Sequence, residues 1–194
     1  MATTMTACPR VWALVGIGAA LALALGAPAA HPATSGAEVT ITAGSLSLAA
    51  SDFQPLAAAL TGAEQVLPTT PASPWTVVDA RGTGAPWSVV ATATDLVSPG
   101  TPARVIPSSA IAITTGPVAA GAGADPATGI AGATGAAFTA PTGPGQTDVA
   151  VLAAPGPHRG AFTFTPRLDV TIPADAMASH AGAPYATTLT LTIS

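Results

Sequence analysis

Trp75 and Trp87 are the residues of this sequence best suited to holding a ligand. A flat apolar indole face can stack on a sugar ring or a peptide. The competing use of the same rings is to anchor a core. That use weighs heavily in a chain where aromatic residues make up only 4%. Asp79 and Arg81 follow Trp75 and Val77 at a spacing of two, so the four share one face of an extended segment. Their charges can pair beside a turn. Gly82 and Gly84 can then supply the positive φ that a tight hairpin between two strands requires. The expected role of Asp79, Arg81, Gly82 and Gly84 is therefore to fix a turn.

The remaining chemistry is sparse. His31, His158 and His180 have no second His, Cys or Glu at metal-ligand spacing. The sequence contains no Gly-x-Ser-x-Gly elbow, no His-Glu-x-x-His helix motif and no Asp-x-Asp calcium loop. Gly121-Ala122-Gly123 lacks the third glycine of a dinucleotide loop. Nine scattered acids could bring two carboxylates together, as a glycosidase needs, but nothing selects a pair. The expectation is a protein without catalytic residues, cofactor or metal.

Charge narrows the partners. There are five Lys+Arg, all of them arginine, against nine acids, for a formal net charge of −4. No basic patch exists to meet nucleic acid or an anionic membrane surface. Leu67-Pro68-Thr69-Thr70 begins like a sortase signal, but Pro71 replaces the glycine and the motif is internal.

The elements that would position these residues come in two parts. Arg10 precedes an apolar run, Val11–Leu25, which leads into Gly26-Ala27-Pro28-Ala29. A basic start, an apolar centre and small residues at Ala27 and Ala29 make a secretory signal peptide over residues 1–29, with no membrane span left after cleavage. The run is also shorter than the roughly 20 residues that cross a bilayer. Cys8, the one cysteine, lies ahead of it, so the mature chain has no disulfide and must be stabilised by packing.

Residues 30–194 read as one all-β domain, an antiparallel β-sandwich of Ig-like or Greek-key type. Apolar residues alternate with Thr or Ser at 39–43, and again at 46–48 after a phase shift at Gly44 that suggests a bulge. Alternation recurs at 75–80, 87–94, 111–114, 149–153, 161–165, 168–172 and 188–193. Residues 56–60 suit two turns of helix or a short strand between Pro55 and Gly62. Segments 62–74, 99–109 and 115–147 are rich in Gly, Pro, Ala and Thr, and the last reads as one long loop. Phe162 and Phe164 share a core face, and Tyr185 is placed to send its hydroxyl to a backbone carbonyl at a corner.

Trp75-Thr76-Val77-Val78-Asp79-Ala80-Arg81-Gly82-Thr83-Gly84, followed by Trp87, resembles the WxL domain of Gram-positive cell-surface proteins. The closing stretch is similar too: Asp169-Val170-Thr171-Ile172-Pro173, then Gly182, Tyr185 and a Thr-rich final strand. The resemblance implies a secreted β-sandwich of the cell wall or surface that binds peptidoglycan non-covalently, often beside partner surface proteins. The family's second Trp-x-Leu is Leu189-Thr190-Leu191 here, so a wall contact made by that tryptophan would be missing. Two functions follow as expectations: a peptidoglycan-binding module, or a structural surface protein that associates with another exported protein.

Overall fold

The computed structural model describes residues 39–139 and 148–194. The expected signal peptide at 1–29, with Cys8, and His31 lie outside the described residues, as does the 140–147 part of the expected loop. The fold is an all-β sandwich, and every strand pairing is antiparallel. In chain order the strands are β1 (Leu46–Ala49), β2 (Gln65–Thr69), β3 (Trp75–Asp79), β4 (Trp87–Ala93), β5 (Leu96–Ser98), β6 (Arg104–Ile106) and β7 (Ile111–Thr114). They continue as β8 (Val118–Ala120), β9 (Ala131–Gly132), β10 (Ala136–Ala137), β11 (Val149–Ala154), β12 (Gly160–Phe164), β13 (Arg167–Ile172) and β14 (Leu189–Ile193). A single 3₁₀ turn, Ser108–Ala110, is the helical element among the described residues.

Three four-stranded sheets have the orders β1-β3-β12-β8, β10-β7-β13-β2 and β14-β4-β11-β9; β5 and β6 form a separate ribbon. Period-two patterning builds them. In β3 and β4 the odd-numbered residues are buried and the even-numbered ones half-exposed. Each sheet therefore turns one face inward, and these faces meet in one core that includes Val77, Val89, Ile113, Val151, Leu152 and Phe162. Residue 133 joins the second and third sheets. The Ala133 carbonyl accepts from the Thr115 N–H at 2.9 Å, while its own N–H reaches the Val151 carbonyl at 3.1 Å.

Several expectations need correction. Residues 75–94 do not form a hairpin, because β3 and β4 belong to different sheets. Each of those strands begins with a tryptophan on its apolar face. Passing from one layer to the other lets both indoles point into the same core. Residues 39–43 pair with no strand among the described residues, and the first described strand starts only at Leu46. Residues 56–60 are neither helix nor strand, with Leu56 and Leu60 exposed. The turn-rich segments 62–74 and 99–109 contain β2 and β6. Within 115–147, the described part carries β8, β9, β10 and the buried Phe138, so it is not one open loop.

The phase shift at Gly44 has a structural cause. The Gly44 N–H donates to the Ala80 carbonyl at 2.8 Å, and the Ala80 N–H donates to the Ser45 carbonyl at 3.0 Å. Two residues thus oppose one, which is a bulge. A Cβ at Gly44 would lie 2.7 Å from the Ala80 Cβ, so the close approach requires glycine.

Candidate functional site

Trp75 is 1% exposed and Trp87 is 2% exposed. Trp75 stands between Phe53 and Phe164 in edge-on contact, with centroids 5.5 and 5.9 Å away. Its indole N–H donates to the Ser51 carbonyl at 2.9 Å. Trp87 packs at 5.8 Å on Phe162 of a different sheet. Neither ring offers a free face for stacking, so both act as core anchors and the stacking expectation fails on geometry. Phe162 and Phe164 are likewise core residues.

Asp79 and Arg81 do pair, but at a crossing between layers rather than in a hairpin turn. The Asp79 side chain is fully buried, continuing the inward face set by Trp75 and Val77. The Arg81 Nε and Nη2 donate to Oδ1 and Oδ2 of Asp79, each at 3.0 Å. The Arg81 backbone N–H adds a third bond to Oδ1 at 3.0 Å. Nη2 also reaches the carbonyls of Ala85 and Pro86. One guanidinium thus ties the end of β3 to the chain just before β4. The side-chain hydrogen bonds from Arg81 hold the Asp79 carboxyl below its ordinary range, against the opposing effect of burial. Gly82 and Gly84 supply the expected positive φ, 71° and 67°, within this crossing.

The other described arginines are also engaged. Arg159 pairs with Asp125 and Arg167 with Asp169, while Arg104 donates to the Ala178 carbonyl. Among the described residues no group of three His, Cys, Asp or Glu is placed to hold a metal ion, and no helix is long and apolar enough to cross a membrane. His158 sends Nδ1 to the Pro126 carbonyl at 3.1 Å, and His180 sends Nε2 to the Pro102 carbonyl at 3.1 Å. Both imidazoles brace loops. Tyr185 donates its hydroxyl to the Met177 carbonyl at 2.9 Å, the corner role its position suggested.

What can receive a ligand is a cleft of about 450 Å³ that brings five chain segments together. Its apolar floor includes Phe53, Ile111, Leu168, Leu189 and Leu191, with the buried Trp75 beneath. Its polar lining is Ser51, Asp52, Thr187 and Thr188. Asp52 and Thr188 are exposed, and Asp52 carries a charge without an ion-pair partner among the described residues. The Ser51 hydroxyl is bonded to Ser73 and the Thr187 hydroxyl to Thr94. Asp52 and Thr188 are therefore the polar groups best placed above the apolar floor to meet a ligand with alternating apolar and polar groups, such as a glycan or a short peptide. A second hollow of about 430 Å³ lies over Trp87, between Pro86, Pro155 and Ser194, and is shallow and mostly apolar. Sequence reasoning singled out Trp75, Leu189 and Leu191 separately but missed the cleft, because its lining residues are far apart in the chain and only the fold brings them together.

Comparison of the chain with protein-family models, with curated proteins and with solved structures found no match.

Proposed function

We propose that this chain is a secreted, non-enzymatic cell-surface module of the WxL-like kind, which holds peptidoglycan non-covalently in the cleft between Phe53 and Leu191. The leader-like residues 1–29 support export, and the likeness of residues 75–87 and 169–193 to WxL domains supports the wall. The observation that carries the reading is the cleft itself, with its apolar floor under Ser51, Asp52, Thr187 and Thr188. Glycan strands present hydroxyls around apolar ring faces, and stem peptides present short apolar side chains between amides. Either chemistry meets this lining. Trp75 contributes by fixing the cleft: it forms the base and ties Ser51 through the indole N–H. The missing tryptophan of the last strand is then no obstacle, because Leu189 and Leu191 line the cleft in its place.

Retention of the purified protein on insoluble peptidoglycan tests the reading. Retention should compete with soluble wall fragments. Thr188→Arg, at an exposed position on the cleft, should abolish it without changing thermal stability. A folded protein that is not retained would overturn the proposal. If that protein instead formed a stable complex with another exported protein, the alternative would stand: a structural or partner-binding surface protein.

A further inference from the structure

β14 is an edge strand with unusual freedom. Ser88 and Ser194 exchange both backbone hydrogen bonds, at 2.8 and 3.0 Å. Antiparallel alternation then makes Val90–Thr192 and Thr92–Thr190 the bonded pairs. The N–H and C=O groups of Leu189, Leu191 and Ile193 therefore point away from β4. No described strand hydrogen-bonds to them, although β1 passes close to β14. The register with β4 runs through five pairs without a shift, and β14 carries neither charge nor proline. It thus lacks the bulge, charge or proline with which exposed edges are ordinarily protected.

The same protein holds a strand-forming segment with no partner. Residues Val39-Thr40-Ile41-Thr42-Ala43 alternate as strictly as β14 does, yet they pair with nothing among the described residues. Val39 is 82% exposed and Ile41 is 89% exposed, more than any other large apolar residue described. The two segments match. Val-Thr-Ile-Thr-Ala laid beside Leu-Thr-Leu-Thr-Ile puts Val39 and Ile41 on the face of Leu189, Leu191 and Ile193, which are half-buried against the core. Thr40 and Thr42 then stand beside Thr190 and Thr192, a favourable cross-strand combination.

We infer that residues 39–43 of one copy add as a strand to the free edge of β14 in a second copy, so that the protein self-associates by strand pairing. The chemistry selects the occupant: free backbone donors and acceptors demand an extended segment, and the exposed Val39 and Ile41 supply one with the right alternation. Donor and acceptor are different surfaces, so the contact is head-to-tail. It can propagate into chains or close into a ring.

Sedimentation velocity over a wide concentration range tests this on the purified protein. Average mass should rise with concentration, and Ile41→Asp should weaken association at least about tenfold. Ile41 lies outside the core, so the variant's thermal unfolding should match wild type. Cross-linking locates the contact. In a Cys8→Ser background, a Thr40→Cys copy mixed with a Thr190→Cys or Thr192→Cys copy should form a disulfide between chains. A protein that stays monomeric at every concentration overturns the inference, as does association that Ile41→Asp leaves unchanged. A cross-link formed only within doubly substituted chains, or a strand from another exported protein taken by a monomer, overturns it too.

Discussion

The indole N–H of Trp87 donates to the backbone carbonyl of His158 at 3.0 Å, joining residues 71 positions apart inside the core. The ring also packs on Phe162, so one side chain ties β4 to the segment leading into β12 and closes two sheets on each other. Trp87→Phe keeps most of the apolar contact but strands a buried carbonyl. The expected loss is about 1–3 kcal/mol in denaturant unfolding. Trp87→Ala should lose about 3–5 kcal/mol. The Phe variant, still folded, should bind peptidoglycan as wild type does, as expected of a ring that anchors the core.

Asp79→Asn should destabilise by about 2–3 kcal/mol, because hydrogen bonds to the Arg81 guanidinium are lost at a buried carboxylate. Arg81→Ala should cost a comparable amount by leaving that carboxylate unpaired. The pH dependence has a definite sign. Hydrogen bonds from Arg81 put the folded-state pKa of Asp79 below its unfolded value of about 3.8. The resulting stability is complete above the unfolded value and drains as pH falls toward the lower folded one. Acid unfolding of wild type should therefore steepen below about pH 4, and Asp79→Asn should flatten that part of the curve.

Gly82 and Gly84 separate backbone strain from crowding. Both have positive φ, but a Cβ at Gly82 meets nothing within 4 Å, while one at Gly84 lies 3.1 Å from the Pro157 Cβ. Gly82→Ala should cost about 1–2 kcal/mol, the strain of a left-handed backbone alone. Gly84→Ala should cost more, with the excess reporting contact with Pro157. Equal losses in thermal or denaturant unfolding would contradict this geometry.

Thr115 is fully buried where two sheets join. Its hydroxyl donates to the Val151 carbonyl at 2.5 Å and accepts from the Ala133 N–H at 2.8 Å. Thr115→Val keeps the shape and removes both bonds, so a loss of about 1–3 kcal/mol is expected. Amide exchange should accelerate at Ala133 more than at Val77, which lies in a different sheet.

Much of the fold was legible because large apolar residues alternate with Thr, Ser or other small or polar residues. β3, β4, β7, β12, β13 and β14 each show that period, and the Gly44 bulge appears as a phase shift. Strands built from Ala, Gly or Pro were not legible. β8, β9 and β10 are Val-Ala-Ala, Ala-Gly and Ala-Ala, and the edge strand β2 contains Pro68. Their pairing is set by neighbours, not by their own side chains. Alternation also says nothing about which sheet a strand joins, which is why β3 and β4 read as a hairpin. The Asp79–Arg81 pair was visible at a spacing of two. The cleft was not, because tertiary packing alone brings Ser51, Ile111, Leu168 and Thr188 together.

Amide chemical shifts, followed while a soluble peptidoglycan fragment is added to the folded protein, test the binding reading most directly. Saturable shifts centred on residues 50–53 and 187–191, with the indole N–H signals of Trp75 and Trp87 still hydrogen-bonded, are the expected result. No saturable shifts, or shifts confined to surfaces away from that cleft, would contradict it.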